Sequence, residues 1–211
     1  MNNKNIYLTF DDGPSIYTNE LLDILKKYNV KATFFINGYN LDTEKGQKTL
    51  QRILDEGHTI GLHTNSHDYS YIYASVDNFL NDLKLLEKKV IDLTGIKPEI
   101  FRFPGGSSNT ISKNYKIGVM TELVEIINSL GFFYFDWNIN SLDIYFNDVT
   151  IIAKYVISKL GKFEDNIILQ HDTKPESIKA VPLIIEHALN HDFTFKTLNS
   201  QSPSIHHNIY N

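Results

Sequence analysis

Four short strings in this sequence carry side chains able to do chemistry. The first is Thr9-Phe10-Asp11-Asp12-Gly13-Pro14, with two adjacent carboxylates ahead of a turn. Neighbouring carboxylates repel unless a cation or an arginine lies close, so this pair asks for positive charge nearby. The second is His63-Thr64-Asn65-Ser66-His67, two imidazoles at a spacing that can aim both rings at one point on a helical turn. With Asp12 as a third ligand, two imidazoles and one carboxylate leave coordination positions open for water, which is a catalytic rather than a structural metal set. The third, Arg102-Phe103-Pro104-Gly105-Gly106, supplies a guanidinium that can hold a carboxylate bidentately and glycine N–H groups that can stabilise an oxyanion. The fourth runs from Ile167 through Leu169 to His171 and Asp172. Taken singly, each string also reads as ordinary structure: an Asp-Gly-Pro turn, a surface pair of histidines, a strand-ending turn, a structural histidine.

The elements that must position these residues are legible as an alternation. Apolar runs at 6–10, 32–36, 59–62, 100–103, 132–137, 166–170 and 193–198 read as strands. Amphipathic stretches at 20–28, 43–56, 75–94, 121–130, 148–160 and 177–190 read as helices. Seven or so strands separated by helices imply a parallel α/β architecture. Asp11-Asp12, His63 with His67, Arg102 and His171 each follow the C-terminal end of a predicted strand, the edge where such sheets and barrels assemble sites. The organisation is one domain over 5–198 and a polar tail over 199–211, which reads as frayed.

Composition narrows the function classes. The 211 residues include 42% hydrophobic and 21% charged side chains, ordinary for a folded domain and too apolar for disorder. A net charge of -5 with no dominant basic block argues against nucleic acid as a partner. No apolar run approaches the roughly 18 residues that span a bilayer. Cysteine is absent, which removes disulfides, thiolate metal sites and a cysteine nucleophile. Nothing before Ile6 resembles a signal peptide. The expected location is therefore cytoplasmic for a full chain, and extracellular or cell-wall associated for a trimmed catalytic domain.

Together the strings resemble the polysaccharide deacetylase family, carbohydrate esterase family 4, over Thr9 to His171. The resemblance implies a distorted single-domain (β/α) barrel of about seven parallel strands. It implies Asp11 as general base, Asp12, His63 and His67 as ligands of one divalent metal, and His171 as general acid. Zinc is the expected ion, with cobalt, nickel or manganese as alternatives. Arg102 would orient Asp11, the Gly105 N–H would join the oxyanion hole, and Leu169 would line the acetyl pocket. The family's aspartate that supports the catalytic histidine falls on Asp143 or on Asp136, and spacing to His171 favours Asp143. Gly105 stands where the family often has Tyr or Phe. Trp137, Tyr69, Tyr71 and Tyr73 are the aromatic side chains proposed against sugar rings, each of which could equally be packing. The implied activity is N-acetyl removal from N-acetylglucosamine units of a polymer, peptidoglycan first, by a monomer. Chitooligosaccharides, acetylated xylan or a silent carbohydrate-binding relative are the alternatives.

Overall fold

Strand β1 (Asn5–Gly13) runs through the middle of the fold and alternates faces from Ile6 to Asp11, after which an irregularity at Asp12 breaks the pattern. Ile6, Leu8 and Phe10 pack outward into the large apolar layer under the helices, while Tyr7 joins a smaller inner cluster with Phe35, Ile100, Phe135, Ile167 and Leu198. Because side chains on a strand alternate faces, Thr9 and Asp11 share the inner side with Tyr7. This computed structural model describes residues 4–211.

The other strands are β2 (Thr33–Asn37), β3 (Thr59–Thr64), β4 (Ile100–Phe101), β5 (Phe133–Tyr134), β6 (Ile139–Asn140), β7 (Asp165–His171) and β8 (Thr194–Phe195). Seven of them form one parallel path in the order β5-β4-β3-β2-β1-β7-β6, and β8 pairs in parallel with the start of β1. The path curls around the inner cluster as an open, distorted barrel, as expected from the sequence. Helices α1 (Thr18–Tyr28), α2 (Glu44–Asp55), the short α3 (Tyr69–Ile72), α4 (Val76–Thr94), α5 (Val119–Ser129), α6 (Val149–Lys159) and α7 (Pro175–Leu189) follow the strands in chain order. Gly61 on β3 faces the inner cluster, where an added Cβ would come within 2.5 Å of the Phe35 ring.

Two expectations are corrected. The aromatic run 132–137 is not one strand: β5 stops at Tyr134 and the chain crosses to β6. In between, Asn138 imitates a strand, its Oδ1 accepting from Ile167 N at 2.9 Å and its Nδ2 donating to Asp165 O at 2.7 Å. The tail is not frayed. His206 stacks on Tyr134 with centroids 3.7 Å apart, and Asn211 is buried against the start of α5.

Candidate active site

Strand alternation delivers the chemistry to one place. Asp11 ends the inner face of β1, His63 that of β3 and His171 that of β7, with Arg102 following β4. Asp11 and His171 are register partners on adjacent strands.

Asp12 Oδ1 lies 3.2 Å from His67 Nε2 and 3.6 Å from His63 Nε2, and the three donor atoms lie within 4.8 Å of one another. Ligands about 2.1 Å from a tetrahedral metal stand roughly 3.4 Å apart, so these separations suit a divalent ion. His63 Nδ1 lies 2.7 Å from Arg102 O. A carbonyl only accepts, so Nδ1 carries the proton and Nε2 keeps its lone pair for a ligand. Burial pushes His63 down to about 3, with the His67 charge adding to it, and the ring stays neutral as a metal ligand must. The two histidines do not share a helical turn. His63 ends β3, and His67 sits in a left-handed loop position at φ 55. That loop is held by the buried Asp82 of α4, which accepts from Asn65 N at 2.6 Å and Ser66 N at 3.1 Å.

Arg102 is fully buried and sends its donors four ways. Nη1 donates to Asp11 Oδ1 at 2.8 Å and to Thr9 Oγ1 at 2.7 Å, Nε to Phe135 O at 2.9 Å, and Nη2 to Asp136 O at 3.1 Å. The guanidinium lies 4.1 Å over the Phe35 ring and 5.7 Å from that of Trp137. It therefore grips Asp11 through one nitrogen, not bidentately, because the remaining donors hold the crossing from β5 to β6. Burial pushes the Asp11 carboxyl up from the usual carboxylate range, while Arg102 and then His171 pull against that rise.

Of the two candidate aspartates, Asp143 is the one that contacts His171. Its Oδ1 lies 2.9 Å from His171 Nδ1, and its Oδ2 accepts from His171 N at 2.7 Å. Burial alone would lower His171, but the hydrogen bond and charge of Asp143, then the charges of Asp11 and Asp12, raise it to about 9. Burial alone would likewise raise Asp143, and the hydrogen bonds and charge of His171 hold it below the usual range. Asp136 instead accepts from Ser107 N at 2.8 Å and from Ser107 Oγ, anchoring the Gly105–Gly106 turn.

Asp11, Asp12, His63, His67 and His171 line one cleft of about 500 Å³, together with Tyr69, Gly105, Ser108, Trp137 and Leu169. Gly105 adopts φ +74, where any side chain is strained and a Cβ would press on Asn109 at 3.2 Å. Of the proposed aromatic contacts, Trp137 and Tyr69 reach the cleft. Tyr73 is core, its hydroxyl donating to Pro104 O at 2.7 Å, and Tyr71 is exposed away from the lining. Sequence reasoning missed the supporting shell. Asn37 Nδ2 donates to Asp12 Oδ1 at 3.2 Å and Asn40 Nδ2 to Asp12 O at 2.8 Å. Asp172 is wholly buried, accepts from Thr18 Oγ1, and is pushed up by burial to about 7. Asp82 did leave a signal, an acid on the buried stripe of Phe79, Leu83 and Leu86.

The Arg102–Asp11 and Asp143–His171 pairs flank a two-histidine, one-carboxylate set at the C-terminal edge of a curled parallel barrel, the edge where such folds assemble sites. The polysaccharide deacetylase profile matches residues 1–119. A peptidoglycan-N-acetylglucosamine deacetylase of Bacillus cereus is 33% identical over 205 residues, covering 94% of this chain and 71% of that protein. The crystal structure of the catalytic domain of a peptidoglycan N-acetylglucosamine deacetylase from Eubacterium rectale superposes with TM-score 0.95 at 42% identity, covering 99% of this chain and 94% of the other. A Bacillus cereus polysaccharide deacetylase structure superposes with TM-score 0.84 at 31% identity, with 96% of each chain covered. The chain belongs to the polysaccharide deacetylase family and is a hydrolase of that class. Among the described residues, no helix is long and apolar enough to cross a membrane.

Proposed function

We propose that this protein removes acetyl groups from N-acetylglucosamine units of peptidoglycan, releasing acetate and leaving free amines, with Asp12, His63 and His67 holding zinc. The observation that carries this reading is the convergence of the Arg102-held Asp11 and the Asp143-held His171 on either side of that ligand set. A divalent cation in the set would polarise the acetyl carbonyl and acidify water. Asp11 takes the proton of the attacking water, its raised carboxyl sitting closer to working pH than a free aspartate. The Gly105 N–H donates to the oxyanion as the carbonyl carbon becomes tetrahedral. His171 then gives its proton to the leaving nitrogen, and Asp143 keeps the ring charged and aimed until it does. Leu169 offers an apolar wall to the methyl group. The peptidoglycan deacetylases among the relatives support the choice of polymer, which lies outside the membrane.

Acetate release from purified peptidoglycan and from N-acetylglucosamine oligomers tests the reading, using chelator-treated enzyme with single metals restored. Activity from peptidoglycan that disappears with chelator and returns with zinc is expected. Release that persists after complete metal removal, or none from either substrate, overturns it.

The acid assignment makes a pH prediction. A histidine raised by its surroundings stays protonated until the pH passes its folded pKa, so turnover holds into alkaline solution and falls as the pH approaches about 9. A cation on Asp12 removes that residue's share of the rise, which brings the limb somewhat lower. Asp143→Asn deletes the largest upward contribution and leaves burial acting downward. The alkaline limb of kcat is expected to move down by about one unit or more, with kcat at its optimum reduced about 10²-fold. An unshifted limb in that variant removes His171 as the acid.

A further inference from the structure

A hydrogen-bonded chain at the rim of the cleft takes no part in the chemistry above. Residues 204–211 run from the crossing between β5 and β6, which Ile205, His206 and His207 contact, to the start of α5. Asp136 N donates to Ile205 O at 2.9 Å, His207 N donates to Asp136 Oδ2 at 2.8 Å, and His206 Nε2 lies 3.0 Å from Tyr134 O. Asn211 closes the run, its Oδ1 accepting from Gly118 N at 2.8 Å and its main-chain oxygen from Thr121 N at 2.8 Å. Because Asp136 also holds Ser107, this strap and the glycine turn are tied through one buried carboxylate.

His207 connects the strap to the cleft. Its Nε2 lies 2.6 Å from Trp137 O, and its Nδ1 lies 3.1 Å from Ser108 Oγ. The carbonyl can only accept, so Nε2 carries a proton. In the neutral ring Nδ1 is then an acceptor, and the hydroxyl of Ser108 must donate to it. A hydroxyl whose single proton is committed has only lone pairs left to offer. Ser108 and Trp137 both line the cleft, and the His207 ring packs edge-on against Trp137 with centroids 4.8 Å apart. The relay therefore fixes which partner the cleft wall can accept.

We propose that Ser108 is a substrate-binding residue that accepts a hydrogen bond from a sugar hydroxyl, with His207 on the 204–211 strap as the positioning residue that sets its polarity. The proposal rests on the carbohydrate reading above and deepens it, since it adds a specificity contact contributed by the tail. Substrates offering a donor at this wall bind, whereas those offering only an acceptor meet lone pair against lone pair.

The test is calorimetric binding of the glucosamine tetramer, the product form, which the metal-loaded enzyme does not turn over. Acetate release from the N-acetylglucosamine tetramer is measured alongside. Ser108→Ala is expected to weaken binding about five- to tenfold, the worth of one neutral hydrogen bond, and His207→Phe to weaken it by a smaller factor of about two to three, because the released hydroxyl can still accept but is no longer held in place. Ser108→Thr, which keeps the hydroxyl, stays within about twofold of the parent. The Ser108→Ala/His207→Phe double variant binds no worse than Ser108→Ala alone, because His207 acts on the substrate only through Ser108. Parent-like binding by Ser108→Ala, multiplying effects in the double variant, or no tetramer binding by the parent overturns the proposal. Acetate release by the parent with unchanged binding in the variants fails this inference alone. Weakened binding in the variants of a parent that releases no acetate fails the deacetylation reading and leaves the contact standing.

Discussion

Asp12→Ala is expected to lower turnover at least about 10³-fold and to strip the protein of bound metal, an effect worth about 4 kcal/mol of lost carbonyl polarisation. Asp12 Oδ1 is the point at which the site closes, 3.2 Å from one imidazole and 3.6 Å from the other. Without it, two neutral nitrogens remain, and no anionic ligand offsets the charge of a dication. The residue is also conformationally special. It sits at φ 72, a region that aspartate and asparagine tolerate better than alanine. Asp12→Asn therefore separates charge from backbone strain, since it keeps the shape and the left-handed preference while losing the anion. In the presence of chelator Asp12→Asn is expected to melt near the parent and Asp12→Ala somewhat below it, and both to fail to retain zinc on dialysis. Metal content by mass spectrometry and acetate release are the two readouts. Parent-like turnover by Asp12→Asn with no bound metal would sink the ligand assignment.

How much of this site the sequence disclosed follows from how local each signal is. Period-two alternation on β1 separates Phe10 from Asp11 without any tertiary information, and the same rule puts Leu62 outward and His63 inward on β3. Residues whose roles depend on distant partners carry no such mark. Asp136 is joined to Ser107 and His207, 29 and 71 positions away, and nothing around it distinguishes that duty from supporting His171. The tail is polar enough to read as solvent-facing. It docks because single groups find single partners, His206 on the Tyr134 ring and Asn211 at the open N-terminus of α5, which Gly118 leaves without a side-chain cap. Capping from a remote segment satisfies the same orphan N–H groups that a local Ser or Asp would. The break after Tyr134 escaped for a related reason. Its aromatic residues have high strand propensity, but the chain there must pass between strands, and Asn138 supplies with its side chain the bonds that a backbone would make.

Arg102→Ala is expected to be the most destabilising single substitution in the site, by about 3–5 kcal/mol, because removing one member of a buried ion pair leaves the other charged and unpaired. Asp11 is only 4% exposed. The carbonyls of Phe135 and Asp136 would lose their donor as well, and a void would open between Phe35 and Trp137. For a domain of this size the loss corresponds to a melting temperature lower by roughly 6–20 °C. Arg102→Lys should recover little, since one ammonium cannot reach Asp11, Thr9 and two carbonyls pointing in different directions. Asp11→Asn offers the decisive comparison. It keeps a neutral acceptor for Arg102 and most of the packing, so it is expected to lose turnover about 10²–10⁴-fold at a much smaller cost in stability. If Arg102→Ala melts with the parent while losing only turnover, the arginine serves the reaction and not the barrel. If Arg102→Ala and Asp11→Asn destabilise equally, the ion pair itself, and not the guanidinium's grip on the β5–β6 crossing, is what holds this end of the barrel together.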